Sequence, residues 1–182
     1  MRDHILELLQ NRKKRGSSLP NFVYVYGGLC DLVTKLPSRE LIVDQFDIDK
    51  LQDTAKQLKN DCSFFNVKVV FCTINPCSLS IANRNSGVQQ HINFYNDMQC
   101  ALNDMIKFWN NWLINLNQQS GLVTPFLSSW VMKVKKNKLK INYLMMIDGI
   151  NPNNALLVHW IKHLESTLCK NTHSLANLCG HV

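Results

Sequence analysis

The segment FVYVYGGLCD, residues 22–31, is the part of the sequence from which the fold can be read most directly. Its first five residues, Phe22 to Tyr26, are all apolar or aromatic, and two of them are β-branched. Such a run is typical of a strand that is buried on both faces, as in a parallel sheet. Gly27 and Gly28 then predict a turn, and Asp31 follows them. Because open α/β sheets bind their ligands at the carboxyl ends of strands, this turn is the first candidate site.

Helices and strands alternate along the rest of the chain. The sequence VKVVFCT at 67–73 predicts a second strand, which Asn75 and Pro76 end. Capping residues and apolar periodicity predict helices at 3–15, from Asp47 or Asp49 to about residue 60, at 89–117, and from Pro152 to about Cys169. This order predicts an α/β fold of three layers, in which helices flank a small parallel sheet. We expect a single domain over residues 1–169 and a frayed C-terminal tail at 170–182.

The same patterns predict several local features. Asp3 is expected to cap the first helix, and Asn151 to cap the last one, with Pro152 in the first helical position. Residues 78–87 are polar and predict a loop. The segment YLMMI, residues 143–147, fits either a short strand or an apolar approach to the turn that follows. In the last helix, five side chains are expected to face the core: Leu157, Trp160, Ile161, Leu164 and Leu168.

Composition limits the class of protein. With 182 residues, 46% of them hydrophobic and 18% charged, the chain can bury one sizeable core and is globular rather than disordered. No apolar run reaches the roughly 18 residues of a membrane span, and the first residues do not have the pattern of a signal peptide. No Asn-x-Ser/Thr sequon occurs. We therefore expect an intracellular, cytoplasmic protein that does not contact a membrane.

The seven cysteines do not predict a metal site. Their number is odd, and Cys72 and Cys77 have no matching His/Cys pair at the spacing of zinc ligands. Several cysteines lie inside apolar runs, where reduced and buried thiols are the simpler interpretation. Neither a metal ion nor another cofactor is expected.

Two basic runs supply much of the net charge of +7. Both could contact phosphate backbones. The simpler interpretation is a solvated helix end and a solvated loop, because the aromatic residues follow core-like patterns and predict no stacking platform. The first run is Arg12, Lys13, Lys14 and Arg15, and the second contains Lys133, Lys135, Lys136, Lys138 and Lys140.

Motifs in both halves of the chain resemble those of the SGNH-type (GDSL-like) hydrolases. The strand with its GGLCDL turn, the long helix, the Thr124-Pro-Phe stretch and the DGINP turn at 148–152 follow one another in the order of that family. They are most similar to the divergent SGNH-like domains of animal mobile elements. In the family, a strand ends in Gly-x-Asn-Asp, and a late Asp-x-x-His precedes the final helix. The resemblance covers most of residues 1–169 and implies an incomplete SGNH or flavodoxin-like sheet.

The resemblance implies a Ser-His-Asp site, of which this sequence keeps one member. Asp148 stands at the position of the family's acid, and Asn151 stands where the family has its general base, although an asparagine cannot take a proton from a serine near neutral pH. In the turn formed by Gly28, Cys30 and Asp31, the cysteine stands where the family has an oxyanion-binding asparagine, and a thiol is a weak donor. No Gly-Asp-Ser nucleophile motif occurs. We therefore expect an N-terminally incomplete domain that begins at the helix before the third family strand.

Other side chains could replace the missing groups, but each has a simpler interpretation. His159 lies two turns into the last helix and is expected to face solvent. Ser17 and Ser18 lie in a loop before the first strand. Cys30 lies beside a carboxylate, which does not activate a thiol, and a packing or turn role is its simpler interpretation. Loss of both nucleophile and base removes most of the rate of such a site.

Three functions are compatible with the sequence. The first is a degenerate SGNH hydrolase-like domain without esterase activity, which acts as a binding or interaction module or is the remnant of a mobile-element protein. The second is an active ester hydrolase whose nucleophile is supplied unusually or from outside this chain. The third is a basic nucleic-acid-binding accessory protein. If the first function is correct, the strand at 22–26 lacks the neighbouring strand that it has in the SGNH-type family. We then expect another chain, a second copy or an upstream segment to cover its apolar edge.

Overall fold

A parallel pair of strands lies at the centre of the fold. The computed structural model describes residues 1–43, 48–88, 92–135 and 138–179. In it, β1 (Phe22–Val25) pairs with β4 (Lys68–Phe71), and Val25 lies opposite Phe71. The two predicted strands therefore lie side by side, which confirms a mixed helix-and-strand fold with a small parallel sheet.

Helices and two antiparallel hairpins surround this pair. The helices of the described chain are α1 (Arg2–Lys14), α2 (Leu29–Leu32), α3 (Ile48–Ser63), α4 (Leu79–Asn85), α5 (Ile92–Gln118) and α6 (Asn154–Cys179). The hairpins are β2 (Thr34–Lys35) with β3 (Leu41–Ile42), and β5 (Met132–Lys135) with β6 (Lys138–Ile141). Short 3-10 helices span Leu127–Trp130 and Tyr143–Met145.

Two hydrophobic clusters contact the central strands through alternate residues. The larger cluster contains Val25 and Phe71 together with buried side chains of α1, α3 and α5. The smaller cluster contains Cys72 and Trp160 of α6, and Tyr24 packs against this cluster. Because successive side chains of a strand point to opposite faces, each cluster covers one face of the β1–β4 pair.

Buried asparagines of α5 complete the hydrogen bonding of the chain at and after β4. Asn117 accepts a hydrogen bond from the Phe71 N–H (3.0 Å) and donates one to the Phe71 C=O (2.7 Å). Asn110 makes the same two bonds with Ile74, at 2.8 and 2.9 Å. A carboxamide carries the donor and the acceptor of a peptide group, so each side chain takes the place of a neighbouring strand. We call such a paired contact a carboxamide clamp.

Three more carboxamide clamps connect distant parts of the chain. Asn83 of α4 binds both backbone groups of Leu41, at 2.6 and 2.9 Å. Asn171 of α6 binds those of Val123, at 2.7 and 3.3 Å. Gln99 of α5 accepts from the Leu79 N–H and donates to the Cys77 C=O. Neutral side-chain amides thus hold a hairpin, a loop and a helix start in place.

The outer edge of β1 has no clamp. The Cys72 N–H donates to the Val25 C=O at 2.8 Å, so the backbone groups of Val25 face the β4 side. The alternation of a parallel ladder then turns the N–H and C=O of Phe22 and Tyr24 away from β4. No hydrogen bond to these outward groups is found within the described residues. The two edges of the sheet therefore differ: one is closed by α5, and the other is open.

Several local predictions are wrong. Residues 78–87 are not a loop, because α4 forms there with Ser78 as its N-cap and with Leu79 buried. Asp3 does not cap α1, whose N-cap is Met1 and has no side-chain hydrogen bond. In α4, the many polar residues of a short helix hid its buried side. In α1, Asp3 lies in the first turn, and an acidic residue there is not by itself a cap.

The segment around α6 also differs from its prediction. The Leu156 N–H donates to Asn153 Oδ1 at 2.9 Å, so Asn153 and not Asn151 caps the helix. Residues 143–147 form no strand; a 3-10 helix begins the segment, and Met146 then bridges to Pro152. The helix runs past the predicted end at Cys169 to Cys179, and Asn171 is buried inside the expected tail.

The packing of α6 was only partly predicted. Trp160 is buried and Leu164 packs against the smaller cluster, as expected. Leu157, Ile161 and Leu168 are 39%, 56% and 41% exposed, so their predicted inward position is wrong. Among the described residues, the apolar stripe of α6 is wider than the surface that packs against it.

Candidate functional site

The turn after β1 depends on Gly28. Its φ is +107°, which favours glycine, and a Cβ there would lie 2.6 Å from Nε1 of Trp109. The same Nε1–H donates to the Gly27 C=O at 3.4 Å, so α5 holds the turn by direct contact. The short helix α2 follows and leaves Cys30 and Asp31 exposed.

A cavity of about 580 Å³ opens beside this turn. Val25, Phe71 and Trp109 give it apolar walls at the carboxyl ends of both parallel strands. Its volume is in the range of small-molecule sites, and its position is the one that the strand-and-glycine pattern predicts. Its charged lining comes from α1, α2 and α3: Arg2, Asp3, Asp31 and Lys50.

The second predicted turn is organised by Asp148. Its Oδ1 accepts from the backbone N–H of Ile150 (2.9 Å) and of Asn151 (2.7 Å), and its Oδ2 accepts from Asn151 Nδ2 (2.7 Å). Burial acts to raise the pKa of Asp148, but these hydrogen bonds outweigh it and lower the pKa below its ordinary value. Asp148 is therefore an ionised acceptor whose side-chain partner is an amide.

The two turns lie at the same end of the parallel strands but do not share a cavity. The Ser78 N–H, after β4, donates to the Gly149 C=O at 2.7 Å, and this fixes the second turn beyond the carboxyl end of that strand. Gly28 and Asp31 line the cavity, whereas Asp148 and its neighbours do not. The sequence thus predicted where both turns lie along the chain, but not that they lie apart in the structure.

Two buried thiols and two phenols near these turns are poor nucleophiles. Burial raises the pKa of Cys72 and of Cys77 to about 12. The same cause raises the pKa of Tyr26 and of Tyr143 to about 12. These groups stay protonated near neutral pH, and only the deprotonated form of a thiol attacks a carbonyl.

Two buried polar atoms near the strands lack a partner within the described chain, Asn75 Oδ1 and Trp160 Nε1. Asn75 is fully buried, and its Nδ2 has only a 4.0 Å contact with the sulfur of Met146. This asparagine therefore differs from those of the carboxamide clamps, although it is buried as deeply.

The first basic run is a solvated helix end, as expected. Residues 12–15 are exposed at the C-terminal end of α1, where positive charge interacts favourably with the helix dipole. Lys13 Nζ lies 5.7 Å from the centre of the Phe65 ring. This run packs beside the larger cluster, through α1.

The second basic run is not a loop, so that expectation is wrong. It forms the β5–β6 hairpin, in which Lys133 lies opposite Lys140 and Lys135 lies opposite Lys138. Lys136 lies outside the described residues. Alternating Lys and apolar residues, with a short polar centre, are a hairpin pattern that the charge of the run obscured.

A stacked aromatic pair next to this hairpin was missed by the sequence analysis. The Trp130 and His159 rings are 4.1 Å apart at their centres and inclined by 11°. Trp130 is 40% exposed. The two residues lie far apart in the sequence, and only the packing of α6 brings them together.

Neither a metal-binding cluster nor a membrane-spanning helix is found in the described part of the chain. Within the described residues, no group of three or more His, Cys, Asp or Glu side chains is placed to hold a metal ion. None of the described helices combines the length and the apolar character needed to cross a lipid bilayer.

Comparison with known proteins adds no family assignment. A scan against models of known protein families finds no match to this sequence, and a search of curated proteins finds no significant match. Any functional interpretation therefore depends on the residues and contacts described above.

Proposed function

We propose that this chain is a degenerate SGNH-type hydrolase-like domain, similar to those of animal mobile elements, that binds a partner and does not cleave esters. The observation that carries the proposal is the 2.7 Å hydrogen bond between Asp148 Oδ2 and Asn151 Nδ2. In the resemblance, these positions belong to the acid and the base of a Ser-His-Asp site. Here the acid binds an amide, which cannot accept a proton from a nucleophile near neutral pH.

The proposal includes a three-layer architecture. The larger cluster, with α1, α3 and α5, covers one face of the β1–β4 pair, and the smaller cluster, with α6, covers the other. This arrangement supports an SGNH-like sheet reduced to two strands. The position of the Gly28 turn at the carboxyl end of β1 agrees with it.

Esterase activity gives the direct test. We expect the full chain to leave short p-nitrophenyl esters unhydrolysed and to escape labelling by a fluorophosphonate probe, because Asn151 cannot act as the base that would activate a serine or thiol. Asp148→Ala should leave this background unchanged. Asn151→His is the matched variant that restores a titratable base beside Asp148. Turnover by the wild type that Asp148→Ala abolishes, or covalent labelling of the wild type, would instead support the active-hydrolase alternative.

The proposed partner is a second copy of this chain at the open edge of β1. The outward N–H and C=O groups of Phe22 and Tyr24 offer the hydrogen bonds that an added strand needs. Antiparallel pairing of two β1 strands across a twofold axis would satisfy both edges at once and would extend each sheet. The opposite edge is unsuitable, because Asn117 already binds both backbone groups of Phe71.

Gel filtration with light scattering tests this interface. We expect a concentration-dependent dimer. Phe22→Pro should abolish it, because the lost N–H points away from β4 and the β1–β4 ladder stays intact. Phe22→Ala removes the same ring but keeps the N–H, so it should still dimerise. A well-folded wild-type monomer at all concentrations would contradict the proposed interface without touching the proposal on catalysis.

A further inference from the structure

The β5–β6 hairpin has one basic face and one apolar face. The backbone register places Lys133, Lys135, Lys138 and Lys140 on the same face. The other face carries Met132, Val134, Leu139 and Ile141. Ile141 packs against the smaller cluster, whereas Lys140 is exposed. By the backbone register, the face that carries Ile141 therefore lies against the protein, and the face that carries Lys140 is the opposite one.

This arrangement concentrates like charges. Lys133 lies directly opposite Lys140, and Lys135 directly opposite Lys138. Cross-strand pairs of like charge destabilise a hairpin, and the sequence from Val131 to Asn142 contains no acidic residue that could offset them. A row of phosphates would neutralise both pairs and turn an unfavourable arrangement into a favourable one.

Two exposed aromatic residues precede the hairpin in the chain and contact α6. Trp130 is three residues before Lys133, so their Cα atoms are at most about 11 Å apart. One face of the Trp130 ring lies on His159, and the side chain is still 40% exposed. Phe126, which is 43% exposed, contacts α6 one turn further along, where its N–H donates to His163 Nε2 at 3.0 Å. The two aromatic residues thus follow the same side of α6.

We propose that this surface, formed by the four lysines of the hairpin with Trp130 and Phe126, binds single-stranded nucleic acid. The lysines would contact successive phosphates, and the aromatic rings would stack on bases. A duplex fits less well, because its base faces are already stacked on one another and only its phosphates remain for the protein. The proposal is independent of the one on the β1 edge, since β1 and the hairpin expose different groups.

Salt dependence tests the lysines. Oligo(dT) and oligo(rU) of about 15 nucleotides are titrated with the full chain between about 50 and 200 mM salt, and anisotropy reports the binding. Each phosphate contact to a single strand contributes about −0.7 to the slope of log K against log salt, so four lysines predict a slope of about −2.8. The double variant Lys133→Ala with Lys140→Ala should reduce its magnitude by about 1.4.

A matched variant separates this surface from general basicity. Arg12→Ala with Lys14→Ala removes the same charge from the exposed end of α1 and should leave the slope unchanged. If both double variants lower the slope equally, binding is not localised to the hairpin and the proposal is rejected. A flat salt dependence of the wild type rejects it as well.

Stacking is tested separately. Trp130→Ala should weaken binding of both oligonucleotides by about 5- to 150-fold and should not change the salt slope, whereas Trp130→Tyr, which keeps a stacking face, should retain most of the affinity. Phe64→Ala removes an aromatic residue that is 83% exposed elsewhere and should have no effect. Circular dichroism melts verify that each variant folds. If Trp130→Ala does not fold, Trp130→Tyr keeps the test valid.

Competing occupants give distinct results. Equal affinity for a duplex of the same length, with no effect of Trp130→Ala, would overturn the single-strand proposal. Binding to vesicles that contain phosphatidylserine, without binding to either oligonucleotide, would overturn it in favour of a lipid surface. Preference for single strands together with loss of affinity in Trp130→Ala supports it, and comparison of oligo(dT) with oligo(rU) identifies the sugar.

Discussion

Asn117→Leu tests whether a side chain of α5 takes the place of a missing strand. The change keeps the size of the side chain but removes three hydrogen bonds: those with the N–H and C=O of Phe71, and one with Thr124 Oγ1 at 2.9 Å. Asn117 is 1% exposed and Phe71 is 4% exposed. Water therefore cannot easily replace the lost partner.

The expected cost follows from the two backbone groups of Phe71. Each buried group left unpaired costs about 1–3 kcal/mol, so the pair costs about 2–6 kcal/mol. Burial of the leucine offsets about 1.5–3 kcal/mol of this, so we expect a net loss of about 2 kcal/mol. Such a loss is a substantial part of the stability of an ordinary domain, which is about 5–15 kcal/mol.

Urea unfolding followed by circular dichroism measures this loss. With a slope of about 2 kcal/mol per M, the midpoint should fall by about 1 M. Asn111→Leu, at an exposed position of the same helix, should change the free energy of unfolding by less than about 0.5 kcal/mol. Asn75→Leu, at a buried asparagine whose Oδ1 has no partner, should cost clearly less than Asn117→Leu. If all three variants unfold at the same urea concentration, the carboxamide clamp does not stabilise β4 and the reasoning fails.

Three further predictions concern turns, caps and pH. Gly149→Ala should lower the free energy of unfolding by about 2 kcal/mol or more, because φ is +82° and the new Cβ would lie 2.8 Å from the Ser78 carbonyl oxygen. Gly16 also has a positive φ but has open space around it, so thermal melts of Gly149→Ala and Gly16→Ala separate the steric clash from the backbone strain. Asn153→Ala should cost about 1 kcal/mol as a lost N-cap, and Asn151→Ala less; the reverse order in melting temperature would restore Asn151 as the cap. Burial, followed by the charge of Lys170, lowers the pKa of His163 from its ordinary 6.5, so the neutral ring is favoured in the folded state. The contribution of His163 to the stability is full above about pH 6.5 and is lost as the pH falls toward the folded-state pKa. Between these two pH values, His163→Gln should lose less stability on acidification than the wild type, and identical profiles of stability against pH would refute this.

The central strands were predictable because their signal is local. Phe22 to Tyr26 and the run at 67–73 are continuous, and β-branched or aromatic residues suit a pleated surface wherever it is placed. The long α5 was predictable for the same reason, from its apolar periodicity. The roles of Asn110 and Asn117 were not, because each borders the apolar stripe like any polar residue, and only the position of β4 shows what it binds.

The candidate site was predictable only in part. The glycine turn after β1 was located from a strand signal followed by Gly27 and Gly28, and the cavity lies beside it. The Asp148 turn was located too, but its distance from that cavity depends on how α4 packs against Gly149. The Trp130 stack needs α6 to dock beside the segment that contains Trp130, which no local pattern encodes.

The carboxamide clamps have a consequence for how this protein responds to its surroundings. They join residues 20 to 48 positions apart in the sequence without a formal charge. Within the described chain, Arg2 and Asp61 form an ion pair between α1 and α3, whereas the other ion pairs connect residues at most three positions apart. Counterions compete with ion pairs but not with neutral amides. If the lysine face binds a polyanion as proposed, rising ionic strength therefore weakens that binding but leaves the carboxamide clamps intact. Release of a bound strand and unfolding of the protein are then governed by separate conditions.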